Sequence, residues 1–150
     1  SGGKVALSLS DSFCVDRHRK SFLELVENHI DILFANESEI ISLYEASNFE
    51  IALKETKGCC ETIALTLGEK GSIVLSDQEY WEIKPYKLGS LVDTTGAGDL
   101  YAAGFLHGYT SSKSPYDCGH IGSICAGQIV TQIGPRSQKS LKNLLEEQLN

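Results

Sequence analysis

Hydrophobic positions fall into two rhythms along the chain. Compact apolar runs of strand length occupy residues 4–9 (KVALSL), 30–35 (IDILFA) and 62–67 (TIALTL), the last closed by Gly68. Residues 71–75 and 80–83 predict a meander of two further strands, and residues 88–92 predict an extended approach to a glycine-rich turn. Between these runs the period lengthens to that of a helix. Phe22, Leu25, Val26 and His29 share a face over 16–28, behind an acidic first turn, and Ile40, Ile41, Leu43 and Tyr44 do so over 37–46. A short helix is expected over 49–56 and a small-residue helix from 100 to about 109. Over 116–131, Cys118, Ile121, Cys125 and Ile129 line one side, with Gly122 and Ala126 permitting close packing. After Gly134-Pro135-Arg136 comes a terminal amphipathic helix carrying Leu141, Leu144, Leu145 and Leu149. Strands alternating with helices predict an α/β fold, a mostly parallel sheet flanked by helices. No internal repeat or low-complexity linker interrupts it.

Charge and composition narrow the function classes. The chain has 150 residues, 41% of them hydrophobic, with 13 Lys+Arg against 20 Asp+Glu for a net charge of −7. That is the balance of one globular domain, and the acidic surface argues against nucleic acid or an anionic membrane as partner. No apolar run approaches the roughly 18 residues of a membrane helix, and the start lacks a signal-peptide core, so a cytoplasmic protein is expected. The five cysteines (14, 59, 60, 118 and 125) include no C-x-x-C and read as reduced thiols of such a compartment. No methionine occurs, so the chain is expected to have been trimmed, processed or cut from something longer.

Chemistry is expected beyond the carboxyl ends of the strands, where ligands collect on open α/β sheets. Three polar segments lie at such ends: Asn36-Glu37-Ser38-Glu39, Thr66-Leu67-Gly68-Glu69-Lys70-Gly71, and Asp93-Thr94-Thr95-Gly96-Ala97-Gly98-Asp99. With parallel strands all three face one rim, bringing Asn36, Gly68 and Gly98 into one groove. Glycines just before a helix let backbone N–H groups face an anion at the positive end of the helix dipole. A carboxylate there, Asp99, suits a base that deprotonates a hydroxyl about to attack a phosphoryl group. The same spacing also suits Asp99 as an ordinary N-cap. The P-loop pattern is absent, and Tyr101 stands where a dinucleotide-binding G-x-G-x-x-G needs its third glycine.

Residues 92–105, VDTTGAGDLYAAGF, resemble the second signature of the ribokinase-like (pfkB) carbohydrate and nucleoside kinases. FANESE resembles that family's N-x-x-E motif and TLGEKG its T-x-G-x-x-G nucleotide loop, in matching order over about residues 4–136. The wording is most similar to bacterial sugar kinases described as adenosine-kinase-like. The resemblance implies a three-layer ribokinase-like fold, here incomplete, and transfer of the γ-phosphoryl group of ATP to an alcohol of a sugar or nucleoside. It implies Asp99 as catalytic base, with the amides of Gly96, Ala97 and Gly98 as the anion hole. Asn36, Thr66, Gly68 and Gly71 would hold the nucleotide, and Glu39 would hold Mg²⁺ through water. Asp93 and Thr95 resemble a loop that holds a monovalent cation such as K⁺, although Ile133-Gly134-Pro135-Arg136 departs from the family's commoner Gly-Ala pair there.

Members of that family are considerably longer. Nothing before Lys4 resembles their first strands, lid or sugar-contacting segment, so residues 1–150 are expected to form the carboxy-terminal, nucleotide-binding part of such a kinase. Alone, that part is expected to be inactive. The resemblance implies a small sugar or nucleoside as acceptor and leaves the intact enzyme open to homodimerisation. A non-catalytic nucleotide-binding or interaction module of the same fold is the alternative.

Overall fold

The computed structural model describes residues 2–149. It divides into two compact units, one running up to Gly68 and including Ile73–Glu82, the other formed by Glu69–Ser72 and everything from Ile83 onward.

In the first unit the short runs form a sheet in the order β1 (Ala6–Ser8), β2 (Ile32–Asn36), β3 (Thr62–Thr66), β4 (Ser72–Ser76) and β5 (Glu79–Ile83). The first three are parallel: Ala6 pairs with Ile32, Ile32 with Thr62, and Asn36 with Thr66. A hydrogen bond at 3.0 Å joins Thr62 Oγ1, where β3 begins, to Ser76 Oγ, where β4 ends. β4 therefore runs back against β3, and the sheet is mixed. β4 turns into β5 through Asp77 and Gln78, both at positive φ (50° and 67°), the sign a two-residue type I′ hairpin requires. Ile32–Ala35 and Thr62–Leu65 are buried at every position, which is why they read as unbroken apolar runs rather than alternating ones.

Four helices pack on one face of this sheet: α1 (Ser12–Arg17), α2 (Arg19–Asn28), α3 (Glu37–Tyr44) and α4 (Phe49–Thr56). Val15, Val26, Ile40, Leu43 and Ala52 meet Leu33, Ala35, Ile63 and Leu65 in a single core. The helix expected over 16–28 is in fact two. Asp11 accepts a hydrogen bond from Phe13 N and starts α1, and the chain breaks at His18, whose φ of −122° is not helical. Arg19 then fixes the start of α2 by donating from Nε to Ser42 O at 2.8 Å.

The second unit is helical: α5 (Ala97–Thr110), α6 (Pro115–Ile129) and α7 (Leu141–Gln148). α5 and α6 lie nearly backbone to backbone because glycines face the contact. A methyl on Gly104 would stand 2.9 Å from Cys125 Sγ and from Ile121 O, and one on Gly122 would stand 2.8 Å from Tyr101 O. α7 places Leu144 and Leu145 on Ile121, Ile124 and Cys125.

Residues 88–92, expected to be extended before the glycine motif, join no strand. Tyr86 N donates to Ser123 Oγ at 3.1 Å, and Ser123 Oγ donates to Lys84 O at 3.0 Å. Further on, the Val92 and Asp93 amides both reach Val130 O. At the end of the segment the Val92 amide thus bonds to the C-cap of α6 rather than to a strand.

Candidate functional site

Each unit carries a set of the expected residues. At the rim of the first unit, β2 ends in Asn36 and β3 in Thr66, paired in register. Two of the three polar segments expected at one strand end therefore do share it. The third belongs to the second unit and comes after a loop rather than a strand.

Asn36 is the N-cap of α3. Its Oδ1 accepts from Glu39 N at 2.9 Å and from Ser38 Oγ at 2.8 Å, while the Glu39 carboxylate accepts from Asn36 N at 2.9 Å and Asn36 Nδ2 at 2.8 Å. This is a reciprocal capping box. Glu39 is only 5% exposed. Burial pushes its carboxyl above the usual range and nearby Asp11 adds to that, while the Asn36 amide pulls it back. Each carboxylate oxygen retains a lone pair beyond the box. A hard oxygen donor of this kind suits Mg²⁺, which keeps several waters and takes one or two protein carboxylates beside phosphate.

Thr66 is half-buried and leads into a 3₁₀ turn over Gly68–Lys70. Gly68 has φ of 59° and open space around it, so its backbone is accessible. Gly71, which belongs to the second unit, differs. At φ of 99° its added methyl would fall 2.1 Å from Ile83 O and 2.9 Å from Pro85 N. Gly71 is glycine because the returning chain lies against it, which is a structural demand independent of any nucleotide.

The glycine motif forms a tight turn into α5. Asp93 accepts at Oδ1 from Thr95 N (2.9 Å) and Thr95 Oγ1 (2.7 Å), and at Oδ2 from Gly134 N (3.0 Å). These donors hold its carboxyl below the usual range, the Gly134 amide foremost and then the Thr95 hydroxyl and amide. A cation at Asp93 and Thr95 would have to share that carboxylate with all three donors. Gly96, at φ of 81°, is the N-cap, and no side chain caps the helix. Asp99 is therefore not the N-cap, as one expectation had it, but sits at N3. The helix begins at Ala97, three residues earlier than its apolar pattern predicts.

Of the amides expected to form the anion hole, one is already occupied. The Ala97 amide donates to Thr94 O at 3.1 Å and is engaged within the turn. The Gly98 and Asp99 amides lie in the first helical turn, where N–H groups have no intrahelical acceptor, and a methyl on Gly98 would meet nothing within 4 Å. Asp99 is exposed and its carboxylate makes no hydrogen bond or ion pair among the described residues. An open, positively polarised helix end beside a free carboxylate can receive an anion and accept a proton.

Sequence reasoning missed the supports of this turn. Pro135 packs against Gly96, where a methyl would stand 2.8 Å from Pro135 Cβ. Tyr101 is buried and pairs with Ser72 at 2.8 Å between the hydroxyl oxygens, with burial pushing the phenol up to about 12 against the Ser72 hydrogen bond. The Asp-Thr-Thr-Gly order was an available signal for the side-chain turn at Asp93. Nothing local marked Pro135 or Ser72.

Comparison with known proteins comes to the same family as the motifs. Residues 1–142 match the pfkB family carbohydrate kinase. A nucleoside kinase of Methanocaldococcus jannaschii is 34% identical over 116 residues, covering 77% of this chain and 37% of that protein. The crystal structure of adenosine kinase from Sinorhizobium meliloti aligns with 46% identity and a TM-score of 0.93, over 97% of this chain and 45% of that one. A probable sugar kinase from Rhizobium etli CFN 42 gives 44% identity and a TM-score of 0.94, over 97% and 44%. The chain thus spans less than half the length of these relatives.

Proposed function

The chain belongs to the pfkB family of carbohydrate kinases, and from that premise we propose that it serves ATP-dependent phosphoryl transfer to a hydroxyl of a sugar or nucleoside. One observation carries the site assignment: α5 opens on Gly96 without a side-chain cap, Gly98 borders open space and Asp99 is exposed. Asp99 takes the proton of the acceptor hydroxyl, its oxygen attacks the γ-phosphorus, and ADP leaves. The amides of Gly98 and Asp99 stabilise charge on the transferring group, the kind of fixed-dipole assistance on which phosphoryl transfer depends. Thr66 and the exposed backbone of Gly68 line the nucleotide.

Mg²⁺, carried with ATP, would neutralise phosphate charge. Glu39 would hold it through water, its carboxylate kept in place by the capping box with Asn36. A monovalent cation at Asp93 and Thr95 belongs to the same proposal. We place the reaction in the cytoplasm; no helix among the described residues is long and apolar enough to cross a membrane.

Asp99→Asn tests the reading in the intact kinase. Removing a general base typically lowers turnover about 10²–10⁴-fold, while ATP binding should change little because backbone amides and metal hold the phosphates. At N3 the lost charge alters the dipole interaction by a few tenths of a kcal/mol at an exposed site. Near-wild-type kcat would remove Asp99 from the mechanism. ATP binding without transfer to any sugar or nucleoside, in the wild-type protein, would favour a non-catalytic module.

A further inference from the structure

Tyr101 stands where a dinucleotide-binding turn would need glycine, and the reaction proposed above makes no use of its hydroxyl. It lies in α5, two positions beyond Asp99. Two helical steps turn a side chain by about 200°, so Asp99 is exposed on one face while Tyr101, 3% exposed, is held on the other. The ring comes up against α6 because residue 122 is glycine: a methyl there would stand 3.1 Å from both Cδ2 and Cε2. Phe105, one turn on, stacks with it at a centroid distance of 6.4 Å.

Beyond the ring, the hydroxyl meets Ser72 Oγ at 2.8 Å. Ser72 is also 3% exposed and follows Gly71 directly. Glu69–Ser72 belongs to the same compact unit as α5, and it is held there at two points. Ile83 O and Pro85 N close on Gly71, and Tyr101 closes on Ser72. The stretch held in this way completes the T-x-G-x-x-G loop that begins at Thr66.

A buried hydroxyl pair adds little net stability. Each hydroxyl sheds water to reach the other, and replacing both partners with apolar groups of the same shape is close to neutral. Phe and Ala would fill the same space. What the hydroxyls add is direction: an apolar contact tolerates sliding, whereas a hydrogen bond fixes the phenol to one point at the start of β4. Burial pushes the phenol up to about 12, against the Ser72 hydrogen bond, so the link stays uncharged at neutral pH.

We propose that Tyr101 and Ser72 are positioning residues for phosphoryl transfer: their hydrogen bond fixes the end of the nucleotide loop to α5, so that the γ-phosphoryl group is presented at the helix end that carries Asp99. Resting on the function proposed above, this role adds no contact with the nucleotide. Each side chain acts through the backbone it anchors.

The test uses the intact kinase with Tyr101→Phe, Ser72→Ala and the double variant, each followed by urea unfolding, ATP titration and steady-state kinetics below the unfolding transition. Either single variant leaves one buried hydroxyl without its partner and should lower the urea midpoint, whereas the double variant removes both and should recover most of that loss. Turnover should not recover. A misplacement of 1 Å costs on the order of 10²-fold, so a looser loop should lower kcat about 10-fold or more in all three variants, with ATP affinity changing less than kcat. The two single losses should not multiply, because one link cannot be broken twice. A kcat that follows stability and returns in the double variant gives the pair a purely structural role and overturns the proposal. Wild-type kcat in the folded single variants, or losses that multiply, also overturn it. Should a single variant fail to fold, the double variant, which leaves no unpaired hydroxyl, decides by its kcat. Asp99→Asn keeps the two readings apart. Transfer by the wild type, lost in Asp99→Asn and unaffected in the pair variants, removes the positioning role alone; a wild type that transfers to no sugar or nucleoside removes the proposed function and the pair together.

Discussion

Gly96 and Gly98 are two residues apart, yet the structure gives them opposite mutational signs. Gly96→Ala must hold a side chain at φ of 81°, which costs about 1–2 kcal/mol for an L residue in the left-handed region. Its methyl would stand 2.8 Å from Pro135 Cβ and 3.0 Å from Pro135 Cα, and crowding of that sort adds roughly 1–3 kcal/mol. Restriction of the unfolded chain returns about 0.4–1 kcal/mol. The expected loss is about 2–4 kcal/mol, or a fall in Tm of roughly 4–16 °C for a chain of this size. Gly98→Ala has helical backbone and open space, so the same unfolded-state effect makes it neutral or stabilising by up to about 1 kcal/mol. Its methyl, however, stands where an anion would approach the first-turn amides. Urea unfolding monitored by circular dichroism, paired with ATP-binding titration, reads both effects. We expect Gly96→Ala to lose stability, and Gly98→Ala to keep stability while binding ATP more weakly. Should Gly98→Ala be the more destabilised of the two, the geometry argued for this turn is wrong.

Two acids answer pH in opposite directions. Asp93 is held below its ordinary range in the folded protein, so its contribution is present above the unfolded value and is lost as pH falls through the folded one. The stability gap between wild type and Asp93→Asn should therefore narrow on acidification below about pH 4, checked by urea midpoints across pH. Glu39 is raised, so its contribution is present at acid pH and lost as pH rises through the folded value. Glu39→Gln keeps one capping acceptor and sheds the charge, so its stability at neutral pH should stay within about 1 kcal/mol of wild type. If Glu39 serves Mg²⁺, turnover in the intact kinase should nevertheless fall and its apparent Mg²⁺ requirement should rise. Unchanged Mg²⁺ dependence would leave Glu39 only its capping role.

Short-range physics decided which features were legible in the sequence. The β2 and β3 runs are apolar at every position because both of their faces are buried, and α4 begins where Asn48 can accept from Ile51 N. The Asn36–Glu39 spacing was visible, but two residues three apart serve equally well as a capping box and as ligands, and only the hydrogen bonds show that the box is formed. The extended approach over 88–92 joins no strand because the partner of its last amide, Val92, is Val130 O at the C-cap of α6, 38 positions later and invisible to local pattern. The early start of α5 was hidden because a left-handed glycine caps without any side-chain signal. Ser72 and Tyr101 lie 29 positions apart, so nothing local announced that their buried hydroxyls would meet.

Three acidic residues drawn from the same motifs end in different chemical states, and that separation supports the division of roles. Asp93 accepts three hydrogen bonds and fastens the loop around Gly134. A carboxylate so occupied makes a poor base, since protonating it would break the contacts that lower it. Glu39 is buried and closes a helix cap; it can offer a remaining lone pair to a water but cannot move without opening α3. Asp99 alone of the three is exposed and without a fixed partner, at the end of a helix whose dipole favours its charge. A base in phosphoryl transfer needs a lone pair that the fold does not already use, a position beside the anion's landing place, and enough freedom to meet an incoming hydroxyl. In the proposed reaction Asp99 fits the first and last of these demands, being exposed and without a fixed partner among the described residues. Within the same unit Asp93 supplies rigidity by fixing the turn that ends in Gly96, and in the other unit Glu39 fixes the end of β2.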